Sequence, residues 1–265
     1  MFIAKKGIFF MKEKLYTIPM NDAMNAGDEC PFCYVERDVE QDLLDLVLGS
    51  GSSYMEADMR EKTDKAGFCR MHFKKMFDYG NTLGNAWILK THYMEMRAQM
   101  NKAMDSYKPG KTSFMQKISK SSDAPLKNSV AAWVKEKNDS CYICNEFKEM
   151  YERYLDTFFV MYKKDPDFVN KFKNSKGFCM THFGDICEAA ETRLNDKQKE
   201  EFFAVLFPMM KENMNRLQED VNWLIEKYDY RNKDADWKNS KDAIQRGMQK
   251  LKGGYPADPV YQQKK

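Results

Sequence analysis

No run of this sequence is long and apolar enough to cross a bilayer, which takes roughly 20 such residues. The longest, Phe202 to Met210, spans nine residues and contains Pro208. Period-two alternation is missing as well, so no strand is expected. There is no Walker loop, no dinucleotide fingerprint, no nucleophile elbow and no HExxH helix. No residue set names a reaction, and the chain reads as a binding protein rather than an enzyme. Neither sign of charge dominates: 43 lysines and arginines face 40 acids, interspersed, for a net charge of +3. That balance argues against a nucleic-acid partner. Histidine is scarce, at 3 in 265 residues. Near the start, Ile8-Phe9-Phe10 is too short for the apolar core of an export signal. Residues 1–10 read as an extension upstream of a second possible start at Met11, and the expected compartment is the cytoplasm.

Against these absences stands one pattern that occurs twice and takes six of the 7 cysteines and two of the 3 histidines. The first copy is Cys30-x2-Cys33 followed by Gly67-Phe68-Cys69-x2-His72-Phe73. The second is Cys141-x2-Cys144 followed by Gly177-Phe178-Cys179-x2-His182-Phe183. The halves are separated by 35 residues in the first copy and 34 in the second. Each copy offers three thiolates and one imidazole, a full set for a tetrahedral ion. Taken in chain order, Cys30, Cys33, Cys69 and His72 hold one metal; Cys141, Cys144, Cys179 and His182 hold the other. Cys3His is a structural zinc set, so two zinc ions per chain are expected; an iron–sulfur cluster, usually held by four cysteines, is the alternative. In a reducing cytosol, clustered CxxC pairs read as metal ligands rather than disulfides. The gap far exceeds the roughly 12 residues of a DNA-binding finger. Each metal would therefore tie the start of one helix to the start of another.

The fold class expected is all-α, a helical unit used twice with an offset of about 110 residues. About four helices follow in each copy. The CxxC opens a helix over Pro31 to Leu48, and again over Tyr142 to Lys163; Pro31 suits a first helical position. Shorter helices are predicted over about 54–65 and 166–174, the second announced by Asp165-Pro166. The GFC elements open helices over about 69–79 and 178–193, and long helices follow over about 83–106 and 197–229. In the last, Met210, Met214, Leu217, Val221, Leu224 and Tyr228 form a 4-3-4-3-4 seam, and Pro208 should kink or restart the helix. The expected organisation is a first repeat over 11–107, a linker over 108–125, a second repeat over 126–230 with a leading helix at about 126–138, and a C-terminal part over 231–265. That part carries an apolar stripe, Ile244, Met248 and Leu251, and a tail disordered from Gly253 onward; this stripe or the exposed faces of the long helices would meet a partner.

Around the ligands, Gly67 and Gly177 allow a sharp approach into the helix. Phe68, Phe73, Phe178 and Phe183 are placed to keep water out. Three thiolates on one divalent zinc leave one net negative charge; Lys65, Arg70, Lys74 and Lys75 near the first motif, and Lys173 and Lys176 near the second, either offset it or are ordinary solvated lysines. Cys187 and His92 read as packing residues, and Gly80-Asn81-x2-Gly84 as a helix–helix turn. The 20 methionines read as core filling, or as the lining of a partner groove.

The chain resembles a bacterial family of unknown function. The resemblance lies in Lys12-Glu13-Lys14-Leu15-Tyr16-Thr17-Ile18-Pro19, the CPxC at Cys30, the GFCxxH element, Tyr79-Gly80-Asn81, the second cysteine set and Lys238-Asn239-Ser240-Lys241-Asp242-Ala243. It covers about residues 11–252. Members are sometimes labelled ABC-transporter substrate-binding proteins, but this chain lacks the export signal, lipobox and α/β pattern that label requires. The resemblance implies a paired metal site and no activity. The expected function is a zinc-binding interaction or regulatory module with a protein partner; the alternative is a redox-active protein, either a thiol–zinc switch or an iron–sulfur electron carrier.

Overall fold

The structure, a computed structural model, describes residues 15–51, 53–109 and 128–262. The second start at Met11, most of the linker and the lead into its following helix at 126–127 lie outside these. Every regular element among the described residues is helical, and no strand occurs among them. In chain order the α-helices are α1 (15–25), α2 (Pro31–Leu48), α3 (Ala57–Ala66), α4 (Arg70–Tyr79), α5 (Thr82–Asp105), α6 (Ser129–Asn138), α7 (Tyr142–Lys164), α8 (Pro166–Lys173), α9 (Met180–Arg193), α10 (Asp196–Lys227) and α11 (Ala243–Lys252). Short 3-10 turns cover Ser53–Met55 and Tyr230–Asn232. No described helix is long and apolar enough to cross a membrane.

The helix bounds have local causes. Pro166 occupies the first turn of α8, where its missing N–H has no partner to lose, and Asp165 accepts from Asp167 and Phe168. Asn195 and Gln198 form a reciprocal capping box on α10. Gly80, at φ 86°, ends α4 in the left-handed region, and the Asn81 side chain caps α5 by accepting from Gly84. Pro208, expected to kink or restart its helix, lies inside α10, which continues to Lys227.

Two compact units emerge, and neither is a consecutive stretch of chain. One joins the described residues up to Val39 with Phe147–Pro259; the other joins Glu40–Glu146 with the residues from Val260. The segments 11–107 and 126–230 thus contribute parts to both. The first unit is built on aromatic side chains: Phe32, Phe158, Phe168, Phe172, Phe178 and Phe202 are all fully buried. Phe158 meets Phe168, Phe172 and Phe178 edge-on at centroid separations of 5.4, 5.8 and 5.9 Å, and Phe172 stacks on Phe202 at 5.3 Å. Each such ring contributes about 1.5–3 kcal/mol of burial before entropy is counted. In the second unit α3 packs on α5. Tyr79 donates to Asp45 at 2.6 Å and Asn81 donates to the Leu48 carbonyl at 2.6 Å, fixing the α4–α5 turn.

The end of the chain departs from expectation in its tail. α11 packs on α9 and α10 with its polar side inward: Gln249 and Lys250 are buried, whereas Ile244, Met248 and Leu251 are each more than half exposed. The tail read as disordered is held as far as it is described, since Tyr261 donates to Glu40 and its ring lies under the Lys75 ammonium.

Candidate metal centres

The eight predicted ligands come together in two groups of four, but crosswise between the motifs. Cys30 and Cys33 meet Cys179 and His182; Cys69 and His72 meet Cys141 and Cys144. The chain-order pairing is therefore corrected: the CxxC of each motif closes on the CxxH of the other. Each group lies within one of the two units. Cys187 belongs to neither group, and its thiol is raised by burial. His92 is a packing residue, within 3.0 Å of the Asp64 carbonyl.

All four ligand pairs use one local device. Cys30, Cys69, Cys141 and Cys179 each stand immediately before a helix, and Cys33, His72, Cys144 and His182 each occupy its third residue. The carbonyls of the four leading cysteines accept from Tyr34, Phe73, Asn145 and Phe183, as N-cap carbonyls do. Residues at these two positions face the same side of the first turn, so a CxxC or CxxH there presents both ligand atoms at the helix N-terminus. α2 and α9 converge on the first group, α4 and α7 on the second. Each N-terminus carries roughly half a positive charge, so two offset about the single net negative charge of zinc with three thiolates.

The spacing suits a tetrahedral ion. Zinc bonds of about 2.3 Å to sulfur and 2.0 Å to nitrogen imply roughly 3.5 Å between S and N and roughly 3.8 Å between two sulfurs. In the first group His182 Nδ1 lies 3.3 Å from Cys30 Sγ, 3.6 Å from Cys33 Sγ and 3.3 Å from Cys179 Sγ. In the second His72 Nδ1 lies 3.2, 3.2 and 3.4 Å from Cys69, Cys141 and Cys144, and the Cys69 and Cys144 sulfurs are 4.0 Å apart. Within each group all four ligand atoms lie within 4.8 Å of one another.

A carboxylate lies behind each imidazole, and in the second group it is hydrogen-bonded to the ring. His72 Nε2 donates to Glu40 at 2.8 Å, and Glu40 also receives Lys75 and Tyr261. His182 Nε2 faces Glu36 at 3.8 Å. With Nε2 carrying the proton, Nδ1 is left to face the thiols, the arrangement by which a carboxylate fixes a metal-binding histidine. Until an ion takes the Nδ1 position, the thiols and carboxylate favour the charged ring. Burial disfavours the His72 imidazolium, but hydrogen bonds with Cys141 and Glu40 outweigh it and raise it to about 10. Burial likewise raises Cys141, but hydrogen bonds with His72 and from backbone N–H groups win and lower it to about 6. Burial and the neighbouring Cys141 push Cys144 up to about 12. Glu40 is held at about 2 despite its burial, by His72, Lys75 and Tyr261. In the first group His182 is raised to about 11 against the pull of burial, by Cys179 and Cys30, while hydrogen bonds from Cys30 and Cys33 lower Cys179.

The glycines of the GFC elements are required by geometry. Gly67 and Gly177 have φ of 62° and 75°, and an added Cβ would come within 2.9 Å of His92 and 2.7 Å of Met210. Phe178 is fully buried against Phe32, whose ring also lies 5.7 Å from that of His182. Phe68 is buried, with Phe73 and Tyr142 beside it. Of the flanking cations, Lys75 acts through Glu40, Lys74 pairs with Asp78, and Lys176 donates to the Gly27 carbonyl at 2.6 Å. Lys65, Arg70 and Lys173 point into solvent.

Several residues escaped the sequence reading. Glu36 and Glu40 stand one turn apart on α2, and a glutamate three residues after a CxxC was the available signal. Lys250, 1% exposed, donates to the carbonyls of Glu29 and Lys176 beside the first group. Glu29, equally buried, is gripped by Arg216 at 2.6 Å, with Arg246 3.5 Å away. Gly253 covers the same group: a Cβ there would lie 3.5 Å from Cys179 Sγ and 3.6 Å from Cys33 Sγ.

No curated protein and no solved structure matches the chain. A family model does, over residues 11–258, and the chain accordingly belongs to the family of unknown function DUF6062.

Proposed function

We propose that the chain is a zinc-binding helical protein with two structural Cys3His centres, built by internal duplication and acting as an interaction or regulatory module. The first centre is held by Cys30, Cys33, Cys179 and His182; the second by Cys69, His72, Cys141 and Cys144. The observation that carries the reading is the convergence of two helix N-termini on each ligand group at tetrahedral spacing. Four protein ligands leave no position for a substrate, as in structural rather than catalytic zinc sites. The matching order of helices after each CxxC supports the duplication. The exposed Ile244, Met248 and Leu251 stripe, on a helix whose polar side is already buried, supports a protein partner.

Elemental analysis with an absorption spectrum, on protein purified with and without air, tests the metal. Two zinc ions per chain and no visible absorption are expected. Iron with visible absorption lost in air would overturn zinc and make electron transfer the function. Replacing Ile244, Met248 and Leu251 by serine tests the partner surface. The variant should keep its metal and helicity and lose a partner that the wild-type chain holds at a fixed stoichiometry. Metal-dependent turnover by a partnerless chain would refute the module.

A further inference from the structure

We propose that the second centre is oxidant-responsive, with Cys144 the thiol attacked and Cys69 the thiol that closes a disulfide, while the first centre keeps its metal. The inference rests on the metal reading above. The cysteines of the two groups differ in what reaches them. Cys30, Cys33 and Cys179 are fully buried, the last two under Gly253; Cys141 is 2% exposed. Cys69 is half-buried and Cys144 is exposed. Oxidants select thiolates by access as well as by charge, and a metal thiolate stays charged at neutral pH. The two accessible sulfurs are also neighbours, 4.0 Å apart at the N-termini of α4 and α7. A disulfide needs them at about 2.05 Å, an approach of roughly 2 Å.

With hydrogen peroxide the chemistry balances. The Cys144 thiolate attacks one peroxide oxygen; the S–O bond forms, the O–O bond breaks, and the departing hydroxide takes a proton to become water. Sulfur is thereby oxidised to the sulfenic acid and peroxide reduced. The Cys69 thiolate then attacks that sulfur; the S–S bond forms, the S–O bond breaks, and hydroxide leaves with a second proton as a second water. Two thiolates, one peroxide and two protons become one disulfide and two waters. Two of the four ligands are consumed, and Cys141 with His72 cannot retain the ion alone.

The test uses the full zinc-loaded chain. Its zinc content is measured first; hydrogen peroxide is then titrated with a chromogenic zinc chelator present, and thiols are mapped by differential alkylation and mass spectrometry. Two zinc ions at the outset, release of one at low peroxide, retention of the other and a Cys69–Cys144 disulfide are expected, with recovery on adding a thiol reductant and zinc. Cys144→Ser should give up the second zinc to the chelator without peroxide, form no disulfide at Cys69 and keep the first centre loaded, and Cys187→Ser should behave as wild type. Fewer than two zinc ions at the outset would refute the metal reading and this inference with it. Two at the outset, followed by parallel release of both, release first from the Cys30–Cys33 centre or a Cys141–Cys144 disulfide, would overturn this inference alone.

Discussion

Replacing Cys179 by serine separates crosswise from chain-order ligation, because the two arrangements deprotect different cysteines. Cys30 and Cys33 share a ligand group with Cys179 although about 150 residues separate them in sequence. A structural zinc site contributes about 10–16 kcal/mol of binding free energy. Divided among four ligands, one thiolate carries about 3–4 kcal/mol, or a loss of about 10²–10³ in affinity at about 1.4 kcal/mol per tenfold. The serine chain should therefore bind one zinc tightly and lose the second to a moderate chelator. Under that chelator, Cys30 and Cys33 should become reactive to a maleimide, while Cys69, Cys141 and Cys144 stay protected. Protein with the Cys141–Cys144 pair deprotected and the Cys30–Cys33 pair still covered would refute the crosswise assignment.

Other perturbations test other parts of the argument. Glu40→Gln removes the charge that orients His72 and should weaken zinc at the second centre about 10–100-fold by chelator competition, leaving the first unchanged. Gly177→Ala forces a side chain into the left-handed region and against Met210; chemical denaturation should show a loss of about 2–3 kcal/mol. Zinc uptake at neutral pH should expel protons, because His72, raised to about 10, and Cys144, raised to about 12, must give theirs up to bind. Affinity should accordingly rise with pH and metal be lost on acidification. Calorimetry in buffers of different ionisation enthalpy measures the protons, and a buffer-independent enthalpy would contradict it. Removing both metals should lower the melting temperature and the helical signal; full retention of both would show that the centres are not structural.

Much of this was legible in the sequence because short-range chemistry wrote it there. Pro31 and Asp165-Pro166 mark helix starts, Gly80-Asn81 marks a turn, and CxxC and CxxH spacings mark ligand pairs that share one face of a first turn. Which pairs meet was not legible. All four motifs have the same local form, and the 35- and 34-residue gaps are compatible with either pairing; the choice lies in long-range packing such as that of Phe32 against Phe178. The orientation of α11 was hidden for a similar reason. Hydropathy puts Ile244, Met248 and Leu251 on one face without saying which way it points; buried Glu29 needs cations, and Arg246 and Lys250 turn the polar side toward it. A buried acid left unpaired costs more than a few exposed aliphatic side chains.

Crosswise ligation also sets an order on synthesis. The Cys30–Cys33 pair is made first, yet its group spans 152 residues from Cys30 to His182. The second group is complete once Cys144 has emerged, about 38 residues earlier, or roughly 2–8 s at 5–20 residues per second. The nascent chain thus holds an open pair of thiols while a later-starting centre closes. Nor can the protein be divided at its linker: a fragment ending near residue 125 carries one half of each ligand group, and its complement carries the other halves. The two fragments could restore the crosswise centres only by finding each other.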